Sequence, residues 1–180
     1  MSNLEQDLSK HIQKALNKTI NKIQKEQAKI IKEEMDLPLA KIKKMSRVKK
    51  AQMNNLKASI MSLDTLVSLK HFKKSPVKSG KKIIGINVKL NKSTKVFLKG
   101  HFIAKNKDKG GEFIAIRENS KHSRNPNFNY KASRKSYAGF NGSSKLYYPM
   151  SSKSFAEIAK EQTNKLMPKA KEMFLKELDR

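Results

Sequence analysis

The chain contains no cysteine. This excludes a disulfide framework, thiolate metal sites and a cysteine nucleophile. No apolar run approaches the ~18 residues that span a bilayer. The N-terminus, MSNLEQDLSK, has no apolar stretch of the signal-peptide kind. A soluble protein, made and kept in a cytoplasm, is therefore expected. Acids are scarce, with 15 Asp and Glu against 41 Lys and Arg in 180 residues, a formal net charge of +26. Arginine is scarce too: only Arg47, Arg117, Arg124, Arg134 and Arg180. Lysine and asparagine dominate instead, a bias that AT-rich codon usage also produces. Lysine is a point charge without the planar fork that grips a phosphate bidentately, so diffuse electrostatics are favoured over sequence readout. Such a charge calls for an anionic neighbour, with nucleic acid first, an acidic protein surface second and a membrane surface third.

The hydrophobic share is 37%, enough for one modest core, and the length suits a single domain, 1–180. The charge is not spread evenly along it. Residues 37–107 hold 19 basic residues and one acid, Asp64, whereas residues 1–36 and 148–180 are almost balanced. Both balanced ends have helical periodicity. Leu4, Leu8, Ile12, Ala15, Leu16, Ile20, Ile23, Ile30 and Ile31 form one stripe, predicting a helix from Asn3 to Met35. Phe155, Ile158, Ala159, Leu166, Met167, Ala170, Met173, Phe174 and Leu178 predict another, kinked or broken at Pro168. Asp36 is a candidate cap for a short basic helix through Lys44. Ser152 or Ser154 is a candidate cap for the last helix.

The middle alternates with a period of two. Strands are predicted around 57–63, 65–72, 84–90, 95–98 with 101–104, and 112–117. Turn signals separate them at Ser79-Gly80, Asn91-Lys92-Ser93 and Lys109-Gly110-Gly111. The fold class is thus α+β: a long N-terminal helix (1–36), a short basic helix with an antiparallel sheet of four or five strands (37–117), and a C-terminal helix (148–180). Between them, residues 118–147 lack periodicity and are expected to form a flexible insert. Its aromatics, Phe128, Tyr130, Tyr137, Phe140 and Tyr147, are read as anchors to their own domain or to a neighbouring subunit. Stacking on a single nucleic-acid strand is the alternative.

The densest basic cluster is Lys41, Lys43, Lys44, Arg47, Lys49 and Lys50. It is either a phosphate-facing surface or the solvated end of a helix in a lysine-rich chain. No two of His11, His71, His101 and His122 stand at metal-ligand spacing, so no metal or other cofactor is expected. His11 follows Asp7 by four and His122 follows Glu118 by four, which predicts surface ion pairs. Asp64, Asp108, Glu112 and Glu118 fit no catalytic motif, and Gly110-Gly111 lacks the phosphate-loop pattern, so no enzymatic activity is expected.

Several stretches, taken in order, resemble the prophage minor tail protein Z family of phage tail-completion or neck proteins. They are Ala15-Leu16-Asn17-Lys18-Thr19-Ile20-Asn21-Lys22; Leu37-Pro38-Leu39-Ala40-Lys41-Ile42-Lys43-Lys44 with Arg47-Val48-Lys49-Lys50-Ala51; Gly85-Ile86-Asn87-Val88-Lys89-Leu90 with Leu98-Lys99-Gly100-His101-Phe102-Ile103-Ala104; Glu112-Phe113-Ile114-Ala115-Ile116-Arg117; and Leu146-Tyr147-Tyr148-Pro149. The insert before Leu146 is longer than the connection in that family, and His101 replaces a small residue. The resemblance implies a non-catalytic virion protein, assembled in the host bacterial cytoplasm. It would be one subunit of a hexameric ring that completes the tail, joins it to the head and lets DNA pass. Other tail and neck proteins are the implied partners, and no membrane is involved. The helical stripes would then offer subunit contacts through Leu8, Ile12, Leu16, Ile20, Phe155, Ile158 and Phe174. The alternative is a basic nucleic-acid-binding protein of the cytoplasm.

Overall fold

The computed structural model describes residues 3–105, 111–133 and 145–180. The fold is α+β. Packing divides it into two compact units that do not follow sequence order: one takes residues 1–33, 38–65 and 155–180, the other 34–37 and 66–154.

Unit 1 is built on α1 (Asn3–Glu34), close to its predicted span. Its buried positions are Ala15, Thr19, Ile23, Gln27, Ala28 and Ile31, so the stripe does continue to its C-terminal end. Its first turns differ, for Leu4 and Leu8 are exposed. α2 (Leu39–Met45) follows, held by the buried Ile42 and Met45. Pro38 stands at its cap position without a side-chain bond. Asp36 is not its cap: its N–H donates to the Leu90 carbonyl (2.8 Å) and its carboxylate faces Lys73, both within unit 2. The chain continues as β1 (Ser46–Lys49), pairing antiparallel with β2 (Ser59–Ser62).

The last helix of the chain belongs to the same unit. It runs over Phe155–Leu178 and does not divide at Pro168. The missing proline N–H orphans the Asn164 carbonyl, but both residues are exposed, so no buried acceptor is left unpaired. His11 Nε2 donates to the Leu178 carbonyl (2.8 Å), Lys169 reaches Glu26 (3.0 Å) and Gln27 donates to the Ala159 carbonyl (3.4 Å). These contacts run in opposite order along the two helices, which are therefore antiparallel.

Unit 2 carries the remaining strands. β3 (Leu66–Ser68) leads through a 3-10 turn at Leu69–His71 into β4 (Lys73–Ser79), β5 (Lys82–Lys89) and β6 (Lys95–Lys99), a three-stranded antiparallel sheet in that order. Its turns are the predicted ones. Gly80 adopts φ +58° between β4 and β5, a conformation that favours glycine. Between β5 and β6 the Asn91 carboxamide oxygen accepts from the Ser93 and Thr94 N–H groups (3.0 and 2.7 Å). β7 (Phe102–Lys105), β8 (Glu112–Arg117), β9 (Asn129–Ser133) and β10 (Leu146–Ser154) form a second sheet with β3. Ala104, Ala115 and Leu146 are buried together there, with Phe102 and Phe113 packed against them.

Three expectations change. The strands lie in three sheets, one of them five-stranded, rather than in a single sheet. Within the predicted insert, Asn129–Ser133 forms β9, which pairs with β10 from Asn129↔Met150 to Ser133↔Leu146. The C-terminal block opens as strand β10, which leaves Ser152 inside a strand and places Ser154 directly before the helix. Tyr137, Phe140, Arg134 and most of the Lys109-Gly110-Gly111 turn lie outside the described residues.

Candidate nucleic-acid interface

The basic cluster forms a ridge on unit 1. Lys43 and Lys44 are exposed in the last turn of α2, and Lys41 is half-buried beside them. Arg47 and Lys49 lie on one face of β1, opposite Met61 and Ser59 of β2. Val48, on the other face, is half-buried, and Lys50 leaves the strand exposed. Alternation therefore turns Arg47 and Lys49 outward together. None of the six cations has an ion pair among the described residues.

Amide side chains of α1 hold this ridge from below. Asn17 donates to the Ala51 carbonyl (3.1 Å) and accepts from the Ala51 N–H (2.8 Å), while Gln13 donates to the same carbonyl (3.1 Å). Gln24 donates to the Ser46 carbonyl (2.9 Å). Both ends of β1 are thus tied to one rigid helix, so its cations are presented from a fixed backbone. Sequence reasoning missed these amides as positioning groups. Their signal was the polar interruption of an otherwise apolar stripe.

Several lysines of α1 have a different fate. Glu177 is only 4% exposed and faces Lys22, Lys18 (3.5 Å) and Arg180 (3.3 Å). The Lys22 hydrogen bond, aided by the charges of Lys22, Arg180 and Lys18, holds its carboxyl below the usual carboxylate range. Glu26 is lowered likewise by Lys169 and Lys29.

The helical stripe candidates separate. Phe155 is 0% exposed and Ile158 is buried, so the chain itself fills their surroundings and they are withdrawn as subunit contacts. Leu8 is exposed, whereas Ile12 and Phe174 are half-buried. Leu16 and Ile20 line an apolar groove of about 810 Å³ between α1, β2 and the last helix, shared with Ile60, Met167 and Ala170. Thr19 also lines it, and its buried hydroxyl has no hydrogen-bond partner among the described residues.

Two of the histidines hold backbone carbonyls. His11 bonds to the end of the last helix, while Asp7 pairs with Lys10. His122 does not pair with Glu118, whose carboxylate accepts from the Tyr147 hydroxyl (2.9 Å). His101 is 2% exposed. Its Nδ1 donates to the Lys99 carbonyl (3.0 Å), which leaves Nε2 to accept from the Tyr130 hydroxyl (3.4 Å). That hydroxyl in turn accepts from the Asn125 N–H (2.9 Å). Every bond here suits neutral imidazole, and burial pushes the His101 pKa down. Arg124 lies 4.4 Å from the Tyr147 ring centroid and 5.6 Å from that of Tyr130. Tyr130 thus ties the insert to its own unit through His101, whereas the side-chain contacts of Tyr147, to Glu118 and Arg124, lie within the insert.

No family model, curated protein sequence or solved structure matches the chain. Among the described residues no three His, Asp or Glu side chains are grouped to hold a metal, and no helix is long and apolar enough to cross a membrane.

Proposed function

We propose that the chain is a structural protein of a tailed phage or prophage: a minor tail or neck protein that completes the tail and joins it to the head. It acts as a subunit of a hexameric ring through which DNA passes. The observation that carries the DNA-facing part is the ridge Lys41–Lys50, six cations without an ion pair among the described residues, fixed to α1 by Asn17 and Gln24. Unneutralised cations on a rigid support suit the regular negative charge of a nucleic-acid backbone, whose counterions they displace. The ordered resemblance to the minor tail protein Z family supports the virion setting. The groove bearing Leu16 and Ile20 is the surface offered to a second copy, consistent with a ring.

The test is a phage carrying Lys43→Glu, Lys44→Glu and Arg47→Glu together. Electron microscopy should show detached heads and tails, or joined particles that fail to eject, while circular dichroism of the purified variant stays unchanged. Normal plaques would overturn the role of the ridge. A second reading, a cytoplasmic nucleic-acid-binding protein, is favoured by the same ridge. It predicts a monomer that shifts duplex DNA at low salt and is absent from purified particles.

A further inference from the structure

The outward face of the β4–β5–β6 sheet is a grid set by strand register. Lys73, Lys89 and Lys95 stand side by side across the three strands. Ser75, Asn87 and Phe97 form the next row, and Val77, Gly85 and Lys99 the third. On the reverse face Ile86, Val88 and Leu98 are buried, so the pleat turns the grid outward. Like charges directly opposite one another destabilise a strand pair. Here there are three in one line, and among the described residues only Lys73 has an ion pair, with Asp36 at 3.6 Å. Lys89 and Lys95 have no ion pair among the described residues. Beyond the Lys73–Asp36 pair the row is repulsive, and an anion bound to it would offset that repulsion.

The row also lines a cleft. Lys73, Lys74, Ser75, Asn87, Lys89 and Lys95 enclose about 220 Å³. The hydroxyl and the amide add neutral donors to the ammonium groups of the row, a donor set suited to phosphate oxygens, whereas Lys74 faces the other way by register and reaches the Lys70 carbonyl (3.4 Å). Beside the cleft stands an aromatic side chain. Phe97 is 44% exposed, and its ring crosses Gly85 so closely that a Cβ there would meet ring Cε2 at 2.6 Å. Glycine thus lets the ring settle on the sheet while its outer side remains in solvent. Lys95 and Phe97 point the same way, about 7 Å apart along the strand.

We propose that this face binds single-stranded nucleic acid, with a phosphate in the lysine cleft and an unpaired base stacked on Phe97. Stacking on a protein aromatic needs a base whose face is free, which a duplex does not offer. An acidic peptide would use the lysines but give the exposed ring no part. The proposal rests on the nucleic-acid-facing reading above and adds to it a second surface and a strand form.

Fluorescence anisotropy with the full chain tests it, using a labelled oligothymidylate, a duplex of equal length and polyglutamate. Phe97→Ala should weaken the single strand about ten-fold and leave the duplex nearly unchanged. Lys89→Gln with Lys95→Gln should lower the single-strand salt slope by about 1.4. Circular dichroism should show both variants folded, since glutamine relieves the lysine repulsion. Unchanged single-strand binding in both variants, alongside loss of binding when Lys43, Lys44 and Arg47 are reversed, overturns this proposal and leaves the ridge standing. Failure of the unaltered protein to bind either DNA overturns both. Tighter binding of polyglutamate, dependent on Lys89 and Lys95 but not on Phe97, overturns it in favour of an acidic protein partner.

Discussion

The two units carry nearly equal numbers of cations and treat them differently. Unit 1 has 20 basic residues against 10 acids, unit 2 has 21 against five. In unit 1 the acids stand where helical neighbours and the facing helix bring lysines together: Glu177 gathers Lys18, Lys22 and Arg180, and Glu26 gathers Lys29 and Lys169. Lys14, Lys25, Lys32, Lys57, Lys160, Lys165, Lys171 and Lys176 have no ion pair among the described residues either, so the ridge is the densest unpaired group there. In unit 2 Lys73, Lys89 and Lys95 meet one another across the sheet. Charge that the helices neutralise in part is left in that row for something outside it. The contrast locates free positive charge better than the net total does.

The largest effect expected from breaking this contrast lies in the core of unit 1. Phe155→Ala should cost about 4 kcal/mol in urea unfolding, because a fully buried ring leaves a cavity. Hydrogen exchange should show the loss in α1 and the last helix. In unit 2 the corresponding weak point is Gly85. An added Cβ would come 2.6 Å from the Leu98 carbonyl oxygen, a backbone atom that cannot swing aside. Gly85→Ala should cost about 2 kcal/mol through overpacking, seen as faster exchange across β5 and β6.

Acid should separate the units as well. The His101 pKa is lowered from 6.5 by burial, so the unfolded chain binds the proton more readily than the folded one. Its contribution is complete above pH 6.5 and is lost as pH falls towards the folded value. Glu177 is lowered from 4.5, so its contribution is complete above that pH and is lost as pH falls through its folded value. Acidification should therefore loosen unit 2 before unit 1. His101→Gln should flatten the first phase and Glu177→Gln the second, measured by exchange at stepped pH. Simultaneous loosening of both units in the unaltered protein would count against these assignments. The smallest effect is a gain. Lys89→Gln should stabilise the three-stranded sheet by about 0.5 kcal/mol, less as salt screens the row.

Much of the framework was legible in the sequence. The α1 stripe marked its helix to within a residue at the C-terminal end, and Asn91-Lys92-Ser93 marked a hairpin through its own side-chain bonds. β4 was missed because KKSPVKS has charge and a proline where strands usually have neither. Proline is tolerated because β4 is an edge strand, which no local pattern reveals. β10 was read as the approach to a helix because Pro149 and three serines resemble a cap. Pairing with β9 over Leu146–Met150, and with β3 at Met150 and Ser154, overrides that local preference.

The ridge of unit 1 was readable because its cations fall within ten residues, on a short helix and the strand after it. Nearness in sequence is enough to place them together. The lysine row of unit 2 was not readable, because Lys73, Lys89 and Lys95 become neighbours only when three strands pair in one register. By itself the sequence determined the helical ends, the α+β class and the total charge, since these follow from periodicity and composition. Only the tertiary structure decided which lysines are neutralised and which stand together unpaired. An acid's reach is a few ångströms, and strand register and helix packing set what falls within it.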